Sequence, residues 1–195
     1  MALLIGITGG IGSGKSTLSE LLRKRGYFVY DADVETCRLQ NKDEEIRRNI
    51  TDLFGKEAYR ASGELNRPFL AQIVFNNAEK LQQLNGIVHP AVKKDFQNWV
   101  KAHSGEEFLF QESAILFESG FYRMFDKIIA ITASEDIRVE RVTKRDNIAR
   151  EQVMERMARQ LPEKELAALA DFIVNTDNGL TEESIERIIR FLSEN

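Results

Sequence analysis

A glycine-rich segment near the start of the chain has residues that bind phosphate. Residues 9–16 read Gly-Gly-Ile-Gly-Ser-Gly-Lys-Ser and match the pattern G-x-x-x-x-G-K-[ST] between a strand-like run and a helical pattern. Such a loop turns its backbone N–H groups toward an anion, while Lys15 reaches the terminal phosphates and the Ser16 hydroxyl binds Mg²⁺. We expect ATP or a related triphosphate to bind here with Mg²⁺. The predicted nucleotide contacts are Gly10, Ile11, Gly12, Ser13, Gly14, Lys15, Ser16 and Thr17.

Two aspartates follow the next strand-like run. Asp31 and Asp33 stand where open α/β sheets bind ligands, at the carboxyl end of a strand. A carboxylate there can accept the proton of an attacking hydroxyl or help to hold Mg²⁺. Asp33 also precedes a helical pattern over residues 34–39, so it can instead cap that helix. Position alone leaves both roles open.

A third carboxylate ends another apolar run. Residues 108–112 read Phe-Leu-Phe-Gln-Glu and resemble a Walker B strand, in which a terminal acidic residue orients metal-bound water. Glu112 is therefore a candidate for holding Mg²⁺ through water. Glu118 is expected to be an ordinary loop carboxylate.

Four cations recur later in the chain at helical spacing. The intervals of three and four predict that Arg138, Arg141, Lys144 and Arg145 share one helix face, where they can bind a polyphosphate. Cations so placed stabilise the charge on a transferred phosphoryl group. Acidic residues interleave with them, so surface ion pairs explain the same pattern. These residues are Glu135, Asp136, Glu140 and Asp146.

Apolar runs rich in β-branched or aromatic residues predict five strands. They cover residues 3–7, 27–30, 108–110, 127–131 and, more weakly, 172–174. Helix-length segments separate them, which favours parallel pairing with right-handed crossovers. We expect an α/β fold of three layers, a P-loop NTPase fold with a parallel five-stranded sheet.

Two segments are not accounted for by simple crossovers. Residues 35–105 are too long for one helix and are expected to form a helical insertion. Residues 138–169 are charged, amphipathic and interrupted by Pro162, which fits either a helical lid over the phosphate site or solvated surface helices. Helices are predicted over 42–54, 67–75 and 77–102, and the nucleotide-binding core over 1–34, 106–137 and 170–195.

The composition excludes several classes of protein. The 195 residues carry a net charge of -4 and no basic stripe, so nothing points to nucleic acid, and no feature points to an obligate protein partner. Two histidines and one cysteine, Cys37, are too few for a metal cluster or an internal disulfide. No apolar run is long enough for a signal peptide or a membrane span. We expect a cytoplasmic protein in which Cys37 is a buried spectator.

A GTPase switch is the main alternative outside the kinases. Residues 52–55 read Asp-Leu-Phe-Gly and residues 143–146 read Thr-Lys-Arg-Asp, which mimic D-x-x-G and T-K-x-D motifs in the right order. Guanine-reading loops follow strands, whereas both strings lie in helical patterns. The context therefore disfavours a switch.

Beyond the P-loop, the order of motifs resembles that of the dephospho-coenzyme A (dephospho-CoA) kinases nearly from end to end. The matching segments are 5–16, Asp31-Ala32-Asp33, Leu65-Asn66-Arg67, Val74-Phe75, 84–90 ending in His89-Pro90, Leu116-Phe117-Glu118, 138–145, Arg156, Gln160, Ala170-Asp171 and Asn175.

The resemblance implies a kinase with the fold of the nucleoside monophosphate kinases. Its substrates would be ATP and dephospho-CoA, whose ribose 3′-hydroxyl is the phosphate acceptor. Asp33 would be the base, and Arg141 and Arg145 would be lid cations, with Lys15 completing the catalytic set. Asn175 would lie against adenine. The acceptor would contact Thr8, Asp33, Arg67, His89 and Glu112.

The chain departs from the family at one carboxylate. Where the family often has Asp-x-Pro, this sequence has Glu112-Ser113-Ala114. Glutamate keeps the charge but is one methylene longer, which favours metal binding through water. Another small-molecule kinase of this architecture, of nucleoside monophosphate or shikimate type, would share the P-loop, the strand-end aspartate and the lid arginines.

Overall fold

The computed structural model describes residues 2–75 and 77–194, and it contains a five-stranded sheet. The strands are β1 (Leu3–Thr8), β2 (Phe28–Asp31), β3 (Phe108–Glu112), β4 (Lys127–Thr132) and β5 (Phe172–Asn175). They pair in parallel in the order β2-β3-β1-β4-β5. The predicted fold class is therefore confirmed. Every strand ends one or two residues later than its apolar run, because polar residues such as Glu112, opposite Ile7, continue the ladder.

Helices fill the intervals between the strands. They are α1 (Lys15–Lys24), α2 (Ala32–Lys42), α3 (Glu44–Phe54), α4 (Arg67–Val74), α5 (Ala78–Ala102), α6 (Glu135–Asp146), α7 (Arg150–Met157), α8 (Glu163–Leu169) and α9 (Glu182–Glu194). The helix after β2 begins earlier than predicted and places Asp33 in its first turn. Asp33 therefore does not precede the helix as its cap. Asp52 lies in α3 and residues 143–146 lie in α6. Both GTPase-like strings are therefore in helices, whereas guanine-reading loops follow strands.

The sheet is buried between helical layers. All five residues of β3 are buried, as expected for a parallel strand covered on both faces. Helices α1 and α9 each present an apolar stripe with helical spacing to the core. The buried side chains of these two helices include Leu18, Leu22, Ile185, Ile188 and Leu192.

The chain divides into two compact units. One comprises Met1–Asp31 with His103–Asn195, and the other is the helical segment Ala32–Ala102. Within the helical unit, Asp43 caps α3 by accepting from the Ile46 N–H at 2.9 Å. Residues Ile46, Ile50 and Phe54, at four-residue intervals, form the buried face of α3.

His89 lies inside a long helix of the helical unit. Helix α5 runs through Pro90, as the helix predicted over residues 77–102 does, so His89 lies in a helix interior and not at a cap. Burial lowers the pKa of the His89 imidazole below its usual value of 6.5. The His89 imidazole is therefore mainly neutral at pH 7 in this structure.

Two further expectations concern Cys37 and membranes. The Cys37 thiol is half-buried instead of fully buried, and its Sγ lies 3.5 Å from Asn41 Nδ2. Within residues 2–75 and 77–194, no helix has the length and apolar character needed to cross a bilayer.

Candidate active site

The glycine-rich loop joins β1 to α1 as its sequence requires. The Ser13 N–H donates to Gly10 O at 3.1 Å and closes a turn. Gly12 has a φ of 78°, and a Cβ there would lie 2.6 Å from Arg138 O, so only glycine fits. The loop leads directly into the N-terminus of α1, where the positive end of the helix dipole favours an anion.

The Lys15 ammonium is held inside this loop. It is buried and donates to Gly9 O at 2.8 Å and to Gly10 O at 3.2 Å. These carbonyls partly solvate the charge without neutralising it. The loop therefore presents a fixed positive charge at its anion-binding side.

A cavity of about 390 Å³ opens beside the loop. It brings five of the eight predicted nucleotide contacts together with two of the predicted cations, Arg141 and Arg145. The lining residues are Gly12, Gly14, Lys15, Ser16, Thr17, Arg141, Val142 and Arg145. A polyphosphate in this cavity would meet three cations and the N-terminus of a helix.

The two cavity arginines are positioned differently. Arg141 donates through Nη2 to Thr176 O at 2.6 Å and through Nη1 to Thr176 Oγ1 at 2.9 Å, which fixes its guanidinium. Arg145 is largely exposed and pairs with Asp146 at 2.7 Å. The hydrogen bond from Arg145 lowers the pKa of the Asp146 carboxyl and raises that of the arginine, so both are charged at neutral pH.

The other two predicted cations, Arg138 and Lys144, do not line the cavity. Arg138 is buried and pairs with Glu163 at 3.1 Å, whereas Lys144 is exposed and pairs with Glu140. Of the four cations predicted from spacing, two therefore line the cavity and two do not. For Lys144 the alternative of a surface ion pair applies, because it pairs with Glu140 and both side chains are exposed.

Glu112 and Ser16 together offer oxygen ligands of the kind that bind a metal ion. Ser16 Oγ donates to Glu112 Oε1 at 2.9 Å, and Glu112 is buried. In the described part of the chain, Glu112 Oε2 has no hydrogen-bond partner. A buried carboxylate oxygen beside a hydroxyl is a hard-oxygen set that fits Mg²⁺, and the described residues contain no cluster of three His, Cys, Asp or Glu side chains that would bind metal alone. Phosphate oxygens and water would have to complete the coordination.

The remaining predicted site residues lie in two places. Thr8 ends β1 and is buried, and Asn175 ends β5, where its side chain bonds Asp177. Asp33, Arg67 and His89 belong to α2, α4 and α5 of the helical unit. Their roles toward substrate stay predictions.

Thr176 is a site residue that the sequence interpretation missed. It is fully buried, its Oγ1 donates to Ser13 O at 2.6 Å, and the same oxygen accepts from Arg141. Its backbone N–H donates to Thr132 O at 2.8 Å. The sequence offered one sign of this role, because Thr176 follows β5 at the carboxyl end of the strand, where open α/β sheets bind ligands. Thr176 thus connects the phosphate loop to one of the cavity cations.

Replacing Thr176 with valine should remove one of the two hydrogen bonds by which Thr176 holds Arg141. The change keeps the side-chain shape and the bond from Arg141 to Thr176 O, but it leaves Ser13 O without its hydroxyl donor and Arg141 Nη1 without its hydroxyl acceptor, which typically costs about 1–3 kcal/mol. We expect the free energy of unfolding to fall by that amount and phosphotransfer to fall about tenfold. Urea unfolding and steady-state kinetics measure the two effects. Thr176→Ser keeps the hydroxyl and should restore both, and equal losses in the two variants would contradict the assignment.

Comparison with known proteins shows the family of the chain. The sequence profile of the dephospho-CoA kinase family matches residues 3–182. A dephospho-CoA kinase from Bacteroides fragilis (strain YCH46) is 41% identical over 177 residues, which cover 91% of this chain and 86% of that protein.

Solved structures give the same result. A Thermus thermophilus protein superimposes with a TM-score of 0.83 at 34% identity and covers 99% of this chain and 97% of its own. Dephospho-CoA kinase from Campylobacter jejuni superimposes with a TM-score of 0.70 at 26% identity, covering 100% and 98%. The resemblance seen in the motifs is confirmed, and this chain belongs to the dephospho-CoA kinase family.

Proposed function

We propose that this chain transfers the γ-phosphate of ATP to the ribose 3′-hydroxyl of dephospho-CoA, giving CoA and ADP in the final step of CoA synthesis. Family membership supports the reaction. The observation in the structure that supports it best is the cavity shared by the phosphate loop, Arg141 and Arg145. This cavity can hold a polyphosphate and stabilise the charge that develops during transfer.

The donor side of the reaction is assigned to the sheet-containing unit. The loop N–H groups and Lys15 would bind the β and γ phosphates, and Arg141 and Arg145 would bind the transferred group. Arg145 would have to exchange Asp146 for phosphate, a change that its exposed position allows. Asn175, at the end of β5, would lie against adenine.

The acceptor side is assigned to the helical insertion, residues 35–105, with Asp33 immediately before it. Asp33 would accept the proton of the 3′-hydroxyl late in transfer, because a loose transition state demands little of the nucleophile. Arg67 and His89 would contact the acceptor, together with Thr8 and Glu112 from the core. The neutral form of His89 suits hydrogen bonding to the acceptor's sugar or amide groups.

We assign residues 138–169 as a lid over the donor site. The segment is helical and carries both cavity arginines. Closure would exclude water from the γ-phosphate and limit wasteful hydrolysis of ATP. The core then comprises residues 1–34, 106–137 and 170–195.

We also assign Mg²⁺ to Ser16 and Glu112, with the Glu112 carboxylate acting through water. When bound, the ion would neutralise phosphate oxygens. Glu112→Gln keeps the shape but removes the charge, so the Mg²⁺ concentration for half-maximal activity should rise roughly tenfold. Titration of activity with MgCl₂ measures this, and ATP binding in EDTA should be unchanged.

The matched control for this change is Glu107→Gln. Glu107 is exposed and directly precedes β3. The substitution therefore removes the same charge as Glu112→Gln, but at the opposite end of the strand. Its Mg²⁺ requirement should equal that of the unaltered protein. If Glu112→Gln also leaves the requirement unchanged, the metal assignment is wrong.

The cytoplasm is the proposed compartment, since the single cysteine excludes an internal disulfide.

The experiment that tests the function is a coupled assay of ADP release with ATP and one acceptor at a time. Dephospho-CoA should be preferred over nucleoside monophosphates and shikimate by several orders of magnitude in kcat/KM. Preference for either of the other acceptors would assign the chain to a different small-molecule kinase.

A further inference from the structure

Ile11 of the phosphate loop is held by the lid through both of its backbone polar groups. Its N–H donates to Gln160 Oε1 at 2.7 Å, and its carbonyl accepts from Arg138 Nε at 3.0 Å. The two partners lie far along the chain, one in α6 and the other just before α8. Neither is among the residues that line the cavity.

The Ile11 side chain is held by the same segment. It packs against a buried apolar cluster formed by Val139, Val142 and Val153 of helices α6 and α7. Partly buried Ile148, Met154 and Met157 complete the cluster. The lid thus contacts this one loop residue by its N–H, its carbonyl and its side chain.

Arg138 is itself rigidly held. Its side chain is buried, and Nη1 donates to Glu163 Oε2 at 3.1 Å. It also lies close against the loop, since a Cβ added to Gly10 would come within 2.1 Å of its Nη2. The buried guanidinium therefore packs directly against the backbone of the loop.

The segment that carries Gln160 is tied down at both ends. The Leu161 N–H donates to Glu118 Oε1 at 3.1 Å, and Glu163 pairs with Arg138. We call residues 160–163 the latch. It joins the lid to the phosphate loop and to the loop that follows β3.

These contacts orient two successive peptide planes. The Ile11 N–H belongs to the peptide that follows Gly10, and the Ile11 carbonyl shares a rigid plane with the Gly12 N–H. Fixing the carbonyl therefore fixes the direction of the next N–H group in the loop. Loop N–H groups that are aimed before the ligand arrives bind phosphate without a cost of reorganisation.

We propose that Gln160 is a positioning residue, which acts through Ile11 to hold the phosphate loop in its binding conformation and so couples affinity for the nucleotide's β and γ phosphates to the lid. The inference rests on the proposed function in one respect, that the ligand is ATP. It assigns to Gln160 no direct contact with the nucleotide.

The test is Gln160→Met, which preserves length and volume but removes the acceptor oxygen. Titration calorimetry should show ATP and ADP dissociation constants about tenfold higher, with AMP, which lacks the β and γ phosphates, unchanged. KM for ATP should rise by a similar factor while KM for dephospho-CoA stays constant. A purely structural role would lower the melting temperature without distinguishing ADP from AMP.

Gln152→Met is the matched control. Gln152 Oε1 also accepts a backbone N–H, from Ala149 at 3.2 Å, but this bond lies within the lid and does not reach the phosphate loop. Its nucleotide affinities should match those of the unaltered protein. Equal weakening in the two variants, or normal ADP affinity in Gln160→Met, would overturn the proposal.

A fold check keeps the outcomes separate. Should Gln160→Met fail to melt cooperatively, Gln160→Asn replaces it, because the shortened amide cannot span the distance to Ile11 and is expected to weaken ADP binding in the same way. If the unaltered protein does not bind ATP, the proposed function is at fault. If it does bind ATP and neither Gln160 variant changes ADP affinity, only the coupling inference fails.

Discussion

Asp33→Asn is expected to lower kcat for phosphorylation of dephospho-CoA by about a thousandfold. A positioned general base typically contributes 10²–10⁴-fold, and asparagine keeps the shape of aspartate without accepting the proton. Asp33 lies in the first turn of α2, outside the phosphate loop. The dissociation constant for ATP should therefore remain within about twofold of normal, as measured by calorimetry beside steady-state kinetics.

The companion variants decide between the two strand-end carboxylates. Asp31→Asn removes the same charge two residues earlier, at the last position of β2, and should have a much smaller effect on kcat. Asp33→Glu keeps a carboxylate and should recover part of the lost rate. Near-normal turnover in Asp33→Asn, or a larger loss in Asp31→Asn, would remove Asp33 from the role of base.

Local features of the chain were readable from its sequence because each depends on neighbouring residues. The phosphate loop needs glycines and a lysine at fixed spacing, and buried parallel strands need short apolar runs. The start of α2 was misplaced because helix boundaries depend on a few competing hydrogen bonds, and Asp33 suits both a cap and a first turn. By contrast, α5 runs through Pro90 as the apolar spacing over residues 77–102 predicts.

Contacts between distant segments were not readable in the same way. Thr176 bonds Ser13, and Gln160 bonds Ile11, across more than a hundred residues of chain. Arg138 and Arg141 have the same residue type and helical spacing, yet one is buried against Glu163 and the other lines the cavity. Only the packing of α6 against the phosphate loop distinguishes them. The sequence therefore located the nucleotide loop but did not reveal which side chains hold it.

Lys15→Ala should weaken ATP binding and slow phosphotransfer together. The ammonium would form about two charge-assisted hydrogen bonds to the terminal phosphates, each contributing about 1.5–3 kcal/mol. Their loss corresponds to roughly a hundredfold or greater rise in the ATP dissociation constant. The same charge stabilises the transferred phosphoryl group, so kcat should fall as well. Calorimetry with ATP and AMP and steady-state kinetics would measure both effects, and AMP affinity should change little.

Lys24→Ala provides the matched control for that change. Lys24 is the last residue of the same helix and is exposed, so the substitution removes an equal charge at the opposite end of α1. Its kinetics and ATP affinity should be normal. Lys15 also donates to Gly9 O and Gly10 O, and its removal leaves those carbonyls without this donor. A melting curve for Lys15→Ala therefore accompanies the kinetics. Normal ATP affinity in a folded Lys15→Ala protein would overturn the assignment of the glycine-rich loop as the donor site.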